Sequence, residues 1–117
     1  MALEIVEKNI ESVTVLALSG RIVVGDDSSR LRNKTREVLD RGRTEMVMDF
    51  GRVGYIDSTG LGTILAVYTT ARNLGANIKL ACLSKKFREQ LHVTGLEKVF
   101  EIFDQVEGAV KSYQTKT

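Results

Sequence analysis

Residues 55–62, "YIDSTGLG", set an acid, two adjacent hydroxyls and two glycines between a strand-like apolar run and a second apolar run. Ser58 and Thr59 are the candidate chemical groups, with Asp57 beside them. Three catalytic uses fail on spacing. A phosphate-cradling loop of the form G-x-x-x-x-G-K-[ST] is excluded because Gly54 to Gly60 is one residue too long and Leu61 stands where lysine is needed. A dinucleotide fingerprint would need glycine at Leu65. A serine nucleophile of the G-x-S-x-G type would need glycine at Ile56 and a histidine base. The single histidine, His92, falls toward the end of a predicted helix, where a surface or dipole-stabilising role accounts for it. His, Cys and Asp show no metal-ligand spacing either. No catalytic residue, metal or cofactor is expected, and the reading is against an enzyme.

Two uses remain for a hydroxyl at a helix start. Ser58 can be a plain N-cap, since serine is a favoured capping residue. It can also be a site of modification, because the helix N-terminus offers free backbone N–H groups and positive dipole to a phosphate carrying about 1.5 to 2 negative charges. Gly60 and Gly62 bear on this choice. Each lowers helix stability by about 1 kcal/mol relative to alanine, so two of them in a first turn point to close approach by another backbone or a partner. They also leave the hydroxyl sterically open. A phosphate there should spare the fold and deny the surface to a partner that docks flat over "DSTGLG".

The elements that position this stretch are legible in order. Residues 3–7 and 12–18, separated by "KNIE", read as an antiparallel hairpin, which residues 21–24 extend. "GDDSSRLRNKTREVLDRG" supplies Asp26, Asp27, Ser28 and Ser29 as candidate caps, Leu31, Thr35, Val38 and Leu39 as one helical face, and Gly42 as a stop. Residues 45–50 form a short strand, and "GRVGYID" leads from it to the hydroxyls. Leu61, Ile64, Leu65, Tyr68 and Ala71 then mark a second helix, closed by Gly75. Phe50 and Tyr55 are assigned to the core. Residues 77–83 read as a strand, Ser84 caps a helix to about Val93 that Gly95 ends, and "KVFEIF" holds a last short strand. Its "KKFR" start, residues 85–88, reads as a solvated helix turn. Val106, Ala109, Val110 and Tyr113 define a final helix, with "QTKT" expected to fray. Strand–helix alternation after a hairpin predicts an α/β domain with a mixed sheet.

Composition excludes other classes. With 117 residues, 43% hydrophobic and no proline, the chain fits one globular domain. Seventeen basic against fifteen acidic residues, scattered, do not imply nucleic acid. The single Cys82 cannot form an internal disulfide and reads as a small buried hydrophobe, which suits a reducing compartment. No apolar run approaches the about 18 residues of a membrane span, and Glu4 stands where a signal peptide wants positive charge. A soluble, cytoplasmic protein is expected.

"MDFGRVGYIDSTGLGTIL" resembles the signature of STAS domains, specifically bacterial anti-sigma factor antagonists, matching their D-S-[ST]-G-L-G core at Asp57, Ser58, Thr59, Gly60, Leu61 and Gly62. Similarity runs through "LSGRI", "GANIKLACLS" and "VTGLEKVFEIF", so residues 1–117 are expected to be a single STAS domain. The resemblance implies a mixed sheet with about four helices packed mainly on one face, and Ser58 as phosphoacceptor. It implies an unphosphorylated form that binds an anti-sigma factor, a serine kinase of the histidine-kinase-like ATPase fold, and so releases a sigma factor. That kinase would end the interaction by phosphorylating Ser58, and a PP2C-type phosphatase would restore it. Neither nucleic acid nor membrane is an implied direct partner.

One departure stands out. Val23 takes the place of an aspartate that many antagonists carry three residues after the glycine of the "LSG" element. Asp26 and Asp27 could occupy the same space in the partner surface, or serve as helix caps. Thr59 is a second possible acceptor, with a structural role at the helix start as its other reading. The competing functional class is a constitutive STAS adaptor subunit of a transport or signalling complex. A receiver domain phosphorylated on Asp49 or Asp57 is disfavoured, because the acidic pair and late-strand lysine that such chemistry needs are missing.

Overall fold

The structure, a computed structural model, describes residues 2–114. β1 (Glu4–Ile10) and β2 (Val13–Ile22) form the antiparallel hairpin. Both strands run longer than their β-branched cores suggest, so most of "KNIE" pairs and the turn shrinks to Glu11 and Ser12. α1 (Asp26–Asp40), β3 (Glu45–Ile56), α2 (Ser58–Asn73), β4 (Asn77–Ala81), α3 (Lys85–Val93), β5 (Ile102–Phe103) and α4 (Val106–Gln114) follow. The sheet order is β1-β2-β3-β4-β5, with every pairing after the first parallel. This is the mixed α/β architecture expected.

The two-residue period of the strands divides the core. Leu16 and Leu18, Met46, Met48 and Phe50, and Ile78 and Leu80 face one way, toward Leu31 and Val38 of α1, Ile64 and Val67 of α2, and Phe87 and Leu91 of α3. The alternate residues Val13, Val15, Val47 and Ala81 face the other way, where Ala109, Val110 and Tyr113 of α4 cover them. Three helices thus share one face. The Tyr113 hydroxyl fastens α4 to the sheet through the carbonyls of Met46 and Asn77, at 2.9 and 3.0 Å.

β3 departs most from expectation. Instead of ending at Phe50 it continues through Gly51 and Gly54 to Ile56, and its register against β2 slips between Ala17 and Ser19 and again between Gly20 and Arg21. Glycine inside a strand commonly marks such a bulge. The extension turns Tyr55 out of the core to 58% exposure, whereas Phe50 stays buried against Phe87. Cys82 is half-buried at φ 62, and burial together with Asp49 pushes its thiol pKa up. Of the expected fraying tail, Gln114 is helical and donates to Glu11 Oε1 at 2.7 Å, and residues 115–117 lie outside the described residues.

Candidate functional site

Ser58 opens α2, but Asp57 is the cap. The Asp57 backbone is extended (φ −87, ψ 179), and its Oδ1 accepts the Gly60 N–H at 2.7 Å. Its Oδ2 accepts the Val24 N–H at 3.1 Å, so one carboxylate closes the helix and holds the loop that leads into α1. Ser58 is therefore relieved of capping. Its side chain is exposed and makes no hydrogen bond among the described residues, and Thr59 beside it is exposed as well.

The two glycines do different work. A Cβ on Gly60 would lie 2.0 Å from the carbonyl oxygen of Ile22, the same oxygen that accepts the Asp57 N–H at 3.2 Å. Only glycine lets α2 rest directly on the end of β2. Gly62 has open space around it and leaves the surface beside Ser58 uncovered. Leu61 points inward and anchors the turn in the core.

The candidate caps of α1 are placed otherwise. Gly25, at φ 97, is the N-cap, a conformation that side chains resist, and the helix starts at Asp26. Asp27 is buried: its carboxylate accepts the Leu3 N–H at 3.0 Å and the Arg21 Nε at 3.3 Å. The Leu3 amide and then the Arg21 guanidinium hold its pKa below the usual carboxylate range against the pull of burial. Asp27 therefore does not reach a partner surface. Ser28 is buried too, donating to the Val23 carbonyl at 2.9 Å, and Asp26 alone of the acidic pair is exposed.

Around Ser58 the structure gathers residues that carry no motif. A groove of about 360 Å³ runs from Ser58 and Leu61 to Lys86, Gln90 and Val93 of α3. Gln90 Nε2 donates to the Ile56 carbonyl at 2.9 Å and so fixes α3 beside the helix start. Val93, which lines that groove, is 78% exposed, and Val24, whose N–H meets Asp57, is 66% exposed in the loop before α1. Each had a sequence signal: Val93 falls off the apolar stripe of Phe87 and Leu91, and Val24 follows the end of β2. "KKFR" divides as expected for a helix start, with Phe87 buried and Lys85, Lys86 and Arg88 exposed. His92 is exposed and pairs with Glu97 at 2.7 Å, which raises its pKa. Among the described residues no cluster of His, Cys, Asp or Glu has metal-binding geometry, and no helix is long and apolar enough to cross a membrane.

The start of α2 thus presents an exposed hydroxyl beside a capping carboxylate, with open space at Gly62 and exposed valine side chains nearby. The chain belongs to the STAS domain family, whose model matches residues 4–109. Within that family it is an anti-sigma factor antagonist type, a regulatory binding protein and not an enzyme. The anti-sigma-B factor antagonist of Bacillus subtilis is 30% identical over 81 residues, spanning 69% of this chain and 73% of that protein. The Bacillus cell fate determinant SpoIIAA in its phosphorylated form shares the fold, with a TM-score of 0.74 at 19% identity over 94% of this chain and 99% of that one. The fold also occurs within a much longer chain, the murine anion transporter Slc26a9 in its inward-facing state, with a TM-score of 0.77 at 16% identity over 93% of this chain and 19% of that one.

Proposed function

We propose that residues 1–117 act as a single STAS domain in the cytoplasm, an anti-sigma factor antagonist switched by phosphorylation of Ser58. In the unmodified form, the surface formed by Asp57, Ser58, Thr59, Gly62 and Asp26, shaped from beneath by the buried Gly60 and Leu61, binds an anti-sigma factor serine kinase of the histidine-kinase-like ATPase fold and frees a sigma factor. The kinase transfers the terminal phosphoryl group of ATP to Ser58 Oγ, the hydroxyl proton goes to a base on the kinase, and ADP leaves. A PP2C-type phosphatase hydrolyses the ester to serine and inorganic phosphate. Of the residues expected at this surface, Asp27 is withdrawn because it is buried and held by Leu3 and Arg21, and Gly60 and Leu61, also buried, support the surface without facing a partner.

The observation that carries this reading is the division of labour at the helix start. Asp57 does the capping and leaves the Ser58 hydroxyl exposed. A dianion on Ser58 would sit beside Asp57 and in the groove that Val93 flanks, where a partner that buried it without a cation would meet a large desolvation cost. The fold would be spared, since a helix N-terminus tolerates negative charge.

Phosphosite mapping of the protein isolated from its native cells tests the acceptor. The expected result is a singly phosphorylated species carrying its phosphate on Ser58. Phosphate on Thr59 alone, or none in any growth phase, would overturn the assignment. The occurrence of this fold inside an anion transporter supports a second reading, a constitutive adaptor whose Ser58 surface is packed permanently. That reading predicts equal partner binding by Ser58→Glu and the unmodified protein.

A further inference from the structure

The sheet ends in two unlike edges. β5, at one side, is two residues long, and short strands are one of the ways in which proteins blunt an edge. β1, at the other, runs seven residues in continuous register with β2, and no bulge or proline interrupts it. Among the described residues no further strand lies against its outer backbone groups. What β1 carries is a short pattern of charge. Glu4, Val6, Lys8 and Ile10 share the sheet face opposite α1, all four are exposed, and Val6 is 56% exposed.

We infer that β1 is a self-complementary edge that pairs antiparallel with β1 of a second copy of this chain, with the two-fold axis at Val6. In that register Val6 meets Val6, Glu4 of each copy lies opposite Lys8 of the other, and Ile5 lies opposite Glu7. Opposite charges directly across an antiparallel pair attract, and an apolar pair at the centre adds to them. The registers centred one residue away, on Ile5 or Glu7, lose both Glu4–Lys8 pairs, and those centred two residues away are repelled. Centring on Lys8 sets ammonium against ammonium, and centring on Glu4 sets carboxylate against carboxylate. On the other face Glu7 brings no uncompensated charge to the seam, because Lys34 at 2.9 Å and Arg41 of its own α1 already neutralise it.

The joined sheet would run a strip from the half-buried Ala17 and the exposed Val6 of one copy to those of the other, since Val6 pairs with Ala17 within the hairpin. Dimers built this way leave the end of β3 and the start of α2 free, because those lie toward the middle of the sheet. One assembly would then present two Ser58 surfaces. The pairing is independent of whether Ser58 is phosphorylated, so its failure would leave the proposed function untouched.

Sedimentation equilibrium of the full chain, from micromolar to millimolar concentration, tests it with a charge-swap cycle. The unmodified protein is expected to shift from monomer to dimer as concentration rises. Glu4→Lys and Lys8→Glu each replace two attractive pairs by two repulsive ones, and each should weaken dimerisation by about tenfold or more. The double variant Glu4→Lys/Lys8→Glu restores opposite signs and should recover the original association. Val6→Asp places two carboxylates on the axis and should leave a monomer. Circular dichroism checks that each variant is folded, which exposed positions on a strand surface allow. A monomer throughout the range, association indifferent to the single reversals, or a double variant as weak as the singles would each overturn the proposal.

Discussion

Asp57 and Ser58 are both favoured capping residues, and which one caps decides what the other is free to do. The carboxylate takes the Gly60 and Val24 N–H groups, so its loss should cost more than an ordinary cap. Asp57→Ala is expected to lower stability by about 2 kcal/mol in urea unfolding, the upper end for cap deletions, because two donors lose their acceptor. Ser58→Glu, in contrast, should unfold within about 0.5 kcal/mol of the unmodified protein, since an exposed side chain with no hydrogen bond is exchanged for a charge at the favoured end of a helix. A strongly destabilised Ser58→Glu would contradict the placement of the hydroxyl outside the packing. The hexapeptide itself was legible from residue types. The assignment of the cap was not, because it depends on where the Ile22 carbonyl and the Val24 amide lie, at the end of β2 and in the loop after it, the nearer of them 33 residues from Asp57 in sequence.

The elements hold the site through backbone proximity. Gly60 lets the start of α2 touch the end of β2, and Gly60→Ala forces a methyl group into the Ile22 carbonyl. The helix must move, so a loss of about 3 kcal/mol is expected in urea unfolding, with partner binding weakened even where the protein remains folded. Gly62→Ala meets nothing and should leave stability unchanged or slightly raised. That contrast separates two glycines that read alike in the sequence. Helix types followed from apolar spacing, as in Leu61, Ile64 and Ala71, and the first strands from their β-branched residues, as in Val13 and Val15. The length of β3 did not. Gly51 and Gly54 resemble loop residues locally, and only pairing with β2 keeps them in the strand as bulges. Tyr55 was misplaced with it: Ile56 stays in the core with Met48 and Phe50, so strand alternation turns Tyr55, one residue earlier, to the opposite face, where it is exposed.

At the scale of the molecule, ion pairs tie α1 to the outer strand while α4 closes the opposite face. Glu7 receives Lys34 and Arg41, whose hydrogen bonds hold its pKa at about 2, against an ordinary value of 4.5. A folded-state pKa below the unfolded one means that Glu7 adds stability above about pH 4.5 and loses it as pH falls toward 2. Urea unfolding of Glu7→Gln across a pH series should show a deficit that is constant from neutral pH to about pH 5, then closes below about pH 4.5. A deficit that widens in acid would contradict this sign. The mixed sheet and its four crossing helices were legible from element order, but the side taken by α4 was not, since Val106, Ala109, Val110 and Tyr113 define an apolar face without saying which sheet face receives it. Helices pack on both faces, and the proposed function gives the exposed end of the sheet that carries Ser58, Val24 and Val93 to a partner. The most direct test of that role is affinity capture from the native cytoplasm with the unmodified protein and Ser58→Glu as paired baits, the bound proteins being identified by mass spectrometry. Capture of an ATPase-fold serine kinase by the unmodified protein, and its loss with Ser58→Glu, is the predicted result. The same partners on both baits would contradict the switch and return Ser58 to the surface of a permanent adaptor.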